Sequence, residues 1–279
     1  MSAPFKLACV QTTSGREIGP NIAAASDLAR RARDAGADLI GFPETVNMME
    51  TKAALARDKA AEPADDAALA AFRELAVELR VSLLVGSLVV WSDAPVDAEG
   101  RRKLANRSFL IDADGAIAAT YDKIHMFDVD LGGGEVYRES ASYAPGSKVV
   151  MADTPWGKLG MTICYDMRFP HLYRRLAQDG ADFISVPSAF TRPTGRAHWH
   201  VLLRSRAIET GCYVFAPAQF GDHENGRKTY GHSVIIDPWG EVLGDAGEET
   251  GFVIADIDPA KVSEAREKMP SLSHDRPFT

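Results

Sequence analysis

The chain has 279 residues, with 31 Lys and Arg against 39 Asp and Glu, for a net charge of -8 at neutral pH. Its 46% hydrophobic and 25% charged residues are the balance of a folded globular protein, not of a disordered chain. The acidic balance argues against nucleic acid or an anionic membrane as main partner, since both select a basic face, and no stretch reaches the roughly 18 apolar residues of a membrane span.

The N-terminal MSAPFKLACVQ has no long apolar region before a small-residue cleavage site, which speaks against secretion. Phe5–Val10 is predicted as a buried strand, and 21–35 as a helix with Ile22, Ala25, Leu28, Ala29 and Ala32 on one stripe, closed by Gly36. Leu39–Phe42 is the next strand and stops at Pro43-Glu44. A second helix fits 65–79, with Leu69, Phe72, Leu75, Ala76 and Leu79 on one face. Strands follow at 81–91, 104–111 and 116–121, the last two joined by the turn former Asp114-Gly115.

The same order returns in the second half: strand 159–163, proline-opened helix 170–178, strand 183–187, helix 197–210, strand 213–218, then a hairpin around Asp237-Pro238-Trp239-Gly240. Alternating strands and helices indicate an α/β protein, and the recurrence indicates an internally duplicated single domain over 1–279. The segment 124–148, with Gly132-Gly133-Gly134, is too long for a plain connection and reads as a functional loop. The tail at about 270–279 is polar and is expected either to pack or to fray. Cys9, Cys164 and Cys212 are widely spaced, odd in number and without a C-x-x-C pair, which suits a reducing cytoplasm.

Three reactive groups follow predicted strands: Glu44 after LIGF, Lys123 after AIAATYD and Cys164 after LGMTI. In α/β sheets, ligands bind in the crevice beyond the carboxyl ends of strands. Taken singly, Glu44 and Lys123 read as solvated charges and Cys164 as an inert buried thiol. A cysteine–histidine protease has no local signature here. Metal hydrolysis is weak as well, because the close pair His198 and His200 points to different helix faces.

GFPET at 41–45, YDKIHMFDVD at 121–130, GMTICYDMRFP at 160–170, PSAFTRPTGRAHWHVLLRSRAIET at 187–210 and YGHSVIIDPWGEVL at 230–243 resemble the carbon–nitrogen hydrolases of the nitrilase superfamily. The likeness spans essentially the whole chain and is greatest to the Nit-type amidase branch; nitrilases proper usually have C-W-E where this chain has Cys164-Tyr165-Asp166. The resemblance implies a four-layer α-β-β-α sandwich. Cys164 becomes the nucleophile, Glu44 its base and Lys123 the charge beside thiolate and oxyanion. The backbone N–H of Tyr165 is the second oxyanion donor, which at a typical site is worth roughly 10²–10³ in rate. Glu139 matches a second glutamate that holds the lysine and the substrate amide, with Glu135 the competing choice.

Arg168 could grip a substrate carboxylate in a fork, or pair with Asp166 instead. Thr194, His198 and Trp199 fall in a segment that runs near the pocket in the resembling family, and His198 and His232 read equally well as structural histidines. The family reading implies no cofactor and no metal, and an assembly of at least a homodimer. It implies a small carboxylate-bearing amide as substrate: deaminated glutathione, favoured by PSAFT and the ending HDRPF, or a short keto-amide as in ω-amidases. An N-carbamoyl amine hydrolase is the other enzymatic alternative, and a catalytically silent binding relative the non-enzymatic one.

Overall fold

Alternation along the first strand divides the interior in two. In the computed structural model, which describes residues 3–97 and 100–277, Phe5, Leu7 and Cys9 join one apolar cluster while Ala8 and Val10 join another. Successive side chains of a strand point to opposite faces, so a strand buried on both sides must lie between two layers. In chain order the elements are β1 (Phe5–Gln11), α1 (Ile18–Asp34), β2 (Leu39–Gly41), α2 (Ala53–Lys59), α3 (Ala67–Leu79), β3 (Ser82–Trp91), β4 (Leu104–Ile111) and β5 (Ile117–Asp122). A small hairpin, β6 (Asp128–Asp130) and β7 (Val136–Arg138), precedes β8 (Val150–Thr154), β9 (Gly157–Met161), α4 (Pro170–Gln178), β10 (Phe183–Ser185) and α5 (Arg192–Thr210). The chain continues through β11 (Tyr213–Ala216), a second small hairpin of β12 (Phe220–Asp222) and β13 (Lys228–Tyr230), then β14 (Val234–Ile236), β15 (Val242–Asp245), β16 (Gly251–Ile257) and α6 (Ala260–Lys268).

The two main sheets have six strands each, in the orders β16-β1-β2-β3-β4-β5 and β15-β14-β11-β10-β9-β8. Each has three parallel strands, β1-β2-β3 or β9-β10-β11, flanked by antiparallel partners. The duplication expected from element order is therefore present in the strand pairing. One face of the first sheet packs with Ala25, Ala29, Leu69 and Phe72 of α1 and α3. Its other face shares a core with the second sheet, where Leu172 and Leu176 of α4 and Trp199 and Leu203 of α5 also lie. The result is helices, sheet, sheet, helices: four layers.

The boundaries differ from expectation where proline enters a first helical turn. α5 starts at Arg192, not Ala197, and α1 at Ile18, not Asn21; Pro193 and Pro20 fit there because the first-turn N–H groups have no partner to lose. Asp66 caps α3, its Oδ1 accepting from the Leu69 N–H at 2.8 Å. The loop 124–148 is not structureless, since it carries the β6–β7 hairpin. The tail packs on its own chain: Arg174 and Gln178 of α4 donate to Ser271 O at 3.0 Å and to Asp275 Oδ2 at 2.7 Å. Phe278 of the HDRPF ending lies outside the described residues.

Candidate active site

Glu44 owes its place to an irregularity in β3, whose pairing with β4 shifts between Val85 and Leu88. There Ser87 Oγ accepts from the Thr45 N–H at 2.8 Å and Ser87 O from the Val46 N–H at 3.0 Å, holding the turn after β2 against the sheet. Gly86 is obligatory beside it: a Cβ would come within 1.9 Å of the Phe42 carbonyl oxygen and 2.4 Å of Pro187 Cβ. Thr45 itself has φ of 50°, in the left-handed region that β-branched residues avoid. The buried Glu44 carboxylate then accepts from Lys123 Nζ (2.9 Å), Asn106 Nδ2 (2.8 Å) and the Ala189 N–H (2.7 Å).

Lys123 directly follows β5, with its N–H donating to Asn106 O at 3.0 Å. Its buried ammonium reaches both oxygens of Glu139, at 3.0 and 2.9 Å, as well as Glu44. Glu139 is fixed in turn by the Phe127 N–H at 2.6 Å and by Asn106 Nδ2 at 3.2 Å. The second glutamate at the lysine is therefore Glu139; Glu135 stays exposed in the β6–β7 turn, its N–H on Gly132 O at 3.0 Å. Asn106, on β4, bridges the two carboxylates and was not anticipated.

Cys164 opens a short 3₁₀ turn, Cys164–Arg168, just past β9. Its φ of 49° is left-handed, a strained state that persists only when neighbours over-determine it. The fully buried Asp166 does much of this. Asp166 Oδ2 accepts from the Ile163 N–H (2.9 Å) and the Tyr121 hydroxyl (2.7 Å), while Oδ1 meets the His125 N–H (3.0 Å) and His125 Nδ1 (2.7 Å). One carboxylate thus ties the cysteine turn to residues on both sides of Lys123. This corrects the alternative pairing of Arg168 with Asp166: the acid faces inward, and the arginine does not reach it.

The three loops enclose a cavity of about 280 Å³ whose wall includes Glu44, Lys123, Glu139, Cys164, Tyr165 and Thr194. Arg168 is not part of that wall. Its guanidinium lies 5.1 Å from the Phe190 ring centre and 5.9 Å from that of Tyr165, on the far side of two lining residues, with Nη2 3.3 Å from His198 Nδ1. Two arginines are in the wall: Arg138, whose Nη1 donates to Tyr137 O at 2.8 Å, and Arg227, from the turn between β12 and β13. Arg227 Nη2 donates to Ala189 O at 2.6 Å, its guanidinium stacks over Tyr137 at 5.6 Å, and its buried Nε has no partner. Thr45 Oγ1 and Asn106 Oδ1, both on lining residues, are likewise buried without a hydrogen bond, whereas Glu50 Oε2 lies 3.6 Å from Arg16 Nε. Buried polar atoms are seldom left so, and their gathering here marks a wall built for a polar ligand. Trp199 belongs to the core and donates to His232 O at 2.8 Å, and His198 and His200 face apart, as the helical spacing requires.

Charge is distributed for proton transfer. Burial pushes the Cys164 thiol up to about 12, and the neighbouring Glu44 carboxylate adds to the push against the Lys123 ammonium. Burial also opposes ionisation of Glu44, but Lys123 and Arg227 outweigh it and hold the carboxyl below its ordinary range. Burial opposes the charge on Lys123 too, and Glu139, Glu44 and Cys164 together hold it well above its usual value. At neutral pH the proton therefore rests on sulfur, with an ionised carboxylate and an ammonium acting on it from the same wall. A weak nucleophile next to an ionised base is the arrangement that nucleophilic catalysis requires.

Comparison with known proteins gives the same direction. Residues 6–267 match the model of the carbon–nitrogen hydrolase family. The chain is 42% identical to a deaminated glutathione amidase of Synechocystis sp., over 97% of this chain and 98% of the relative. It is 39% identical to the Homo sapiens protein of that name, over 97% of this chain and 82% of the relative. Among solved structures it is similar to Saccharomyces cerevisiae Nit3, a member of branch 10 of the nitrilase superfamily, with a TM-score of 0.84 and 30% identity over 99% of this chain and 97% of that one. A duplicated four-layer sandwich, a family match across almost its whole length and close full-length relatives leave one conclusion: the chain belongs to the carbon–nitrogen hydrolase family.

Proposed function

We propose that this amidase hydrolyses deaminated glutathione through a thioester on Cys164. The observation that carries the chemistry is Lys123 held between Glu44 and Glu139 in the wall of a cavity that Cys164 and Arg227 also line. Glu44 takes the thiol proton as sulfur attacks the amide carbon, and the carbonyl oxygen gains negative charge against Lys123 and the Tyr165 N–H. Glu44 returns the proton to the departing nitrogen, the C–N bond breaks and a thioester remains. Water, deprotonated by Glu44, then releases the acid and restores the thiol. A base of this kind contributes roughly 10²–10⁴ in rate.

The substrate class rests on the wall chemistry and on the names of the relatives. An acyl group with a carboxylate fits Arg227, whose guanidinium supplies a planar fork and an unpartnered Nε. This transfers to Arg227 the role first expected of Arg168. Purified protein given deaminated glutathione or α-ketoglutaramate, with α-ketoglutarate as the common product, tests the reading. The expected result is a higher kcat/KM for deaminated glutathione. A higher value for the keto-amide makes the chain an ω-amidase, carbon dioxide release from carbamoyl amines makes it a carbamoyl hydrolase, and no turnover of any amide leaves the silent binding role.

A homodimer is part of this proposal. Val201 and Ile208 on α5 and Trp239 are 69%, 54% and 60% exposed, apolar side chains that a second copy could cover; light scattering on the purified protein gives the mass. The reducing cytoplasm is the proposed compartment, supported by three free, buried thiols. No helix among the described residues is long and apolar enough to cross a membrane.

A further inference from the structure

A second cluster of ligating side chains lies away from the cavity, between α5 and the β14–β15 hairpin. His200 Nε2 is 2.7 Å from Asp245 Oδ2, and His232 Nδ1 is 2.9 Å from Asp245 Oδ1. One ligating atom from each residue lies within 4.8 Å of the other two. The two imidazoles are nearly perpendicular, 79° between planes with ring centres 5.2 Å apart, so they meet edge to face instead of stacking.

We infer that His200, His232 and Asp245 form a site for a divalent transition-metal cation. Two neutral imidazoles and one carboxylate are the donor set that zinc, cobalt and nickel select over magnesium and calcium, which prefer oxygen alone. In a tetrahedral site with bonds of about 2.0–2.1 Å, neighbouring donors sit about 3.3 Å apart. The two His–Asp separations are a few tenths of an ångström shorter, as they should be where a hydrogen, not a cation, lies between nitrogen and oxygen. Small outward turns of the rings admit the metal, each neutral ring then carrying its hydrogen on the nitrogen that faces away from it, and water completes the shell.

The frame around the cluster is rigid, which lowers the cost of ordering it. The His232 ring stacks on Tyr230 at 4.4 Å, and its carbonyl accepts from the core Trp199 indole at 2.8 Å. The His232 N–H donates to Gly247 O at 2.9 Å, while Asp245 Oδ1 accepts from the Gly247 N–H at 2.8 Å. Glu248 Oε1, 3.9 Å from His232 Nε2, adds negative charge at the rim. Tyr230 also abuts Gly195 of α5, one residue from Thr194 in the cavity wall, so a cation here would brace the helix that carries that wall.

The test uses full-length protein carrying Cys164→Ala, so that the cavity thiol does not compete for metal. After chelator treatment it is titrated with Co²⁺ and Zn²⁺, following cobalt absorption and heat. The expected result is one saturable site per chain with a visible tetrahedral cobalt spectrum. His200→Gln and Asp245→Asn are each expected to weaken binding at least about tenfold, the lower end of the range seen even for outer-shell changes. Absence of saturable binding, or binding that neither substitution weakens in folded protein, overturns the site and leaves a hydrogen-bonded His–Asp–His cluster.

Discussion

Asp166→Asn changes one oxygen to nitrogen in a fully buried residue that touches no substrate in the proposed reaction. Its carboxylate now meets two backbone N–H groups, a tyrosine hydroxyl and an imidazole. With the amide nitrogen at the Oδ2 position, Tyr121 can rotate its hydroxyl to accept, but the Ile163 N–H loses its partner. With the nitrogen at the Oδ1 position, His125 can switch tautomer, but its own N–H is orphaned. Either way one buried N–H is left, at about 1–3 kcal/mol. For a chain of this size that lowers Tm by about 2–6 °C. The catalytic loss should be larger than the stability loss, because Ile163 immediately precedes Cys164 and a displacement of about 1 Å at a reacting atom costs on the order of 100-fold. The assay is steady-state kinetics beside the rate of Cys164 alkylation by iodoacetamide. The expected result is kcat down about 10- to 100-fold with KM little changed and slower alkylation. A folded Asp166→Asn protein with wild-type kcat and alkylation would refute the view that this carboxylate positions the thiol.

Glu44→Gln should abolish thioester formation, seen by mass spectrometry as loss of the acyl adduct, with turnover reduced by at least about 10²–10⁴. Arg227→Lys should raise KM for a keto-acid amide about 10- to 100-fold by losing a charged, forked contact, while Arg168→Lys changes it little; the reverse pattern returns the clamp to Arg168. Lys123→Met leaves Glu44 and Glu139 buried without their cation and should cost about 3–5 kcal/mol in urea unfolding, partly regained by adding Glu139→Gln. For pH, Glu44 is depressed on folding, so its contribution is present above its ordinary value of 4.5 and is lost as pH falls through the lower folded value. Lys123 is raised, so its contribution is present below 10.5 and is lost only as pH rises through the higher folded value. Unfolding measured across pH should show this pair's share constant between those limits, and a Glu44→Gln difference that varies near neutrality would contradict it.

That Glu44, Lys123 and Cys164 would meet in one cavity was legible because each follows an apolar strand and the motifs around them resemble those of one family. The two halves of the fold were legible too, since buried strands and amphipathic helices announce themselves by period. Asn106 was hidden inside LANRSFLI, read only as a strand; the usable signal was a polar side chain on the same face as Leu104, Ser108 and Leu110. Arg227 had no local signal, because its place in the cavity wall depends on where a distant hairpin is docked, at Ala189 and Tyr137. Arg168 is outside the cavity wall through direction: four residues past the thiol is close in sequence, but the 3₁₀ turn carries its side chain against the rings of Tyr165 and Phe190. Glu139 was separable from Glu135 only once the β6–β7 hairpin set which of them faces Lys123.

Pairing of β16 with β1 joins residues 251–257 to 5–11 in perfect antiparallel register, Phe5 to Ile257 and Gln11 to Gly251. During synthesis, then, the β1 edge of the first sheet stays open until residues 251–257 have emerged from the ribosome. The N-terminal half contains Glu44 and Lys123, but its sheet is completed by a strand that follows the whole second sheet in sequence. Such long-range closure slows folding and prolongs exposure of a sticky edge. A stop codon anywhere before Gly251 should therefore yield an aggregating fragment, not a smaller domain with a working half-site.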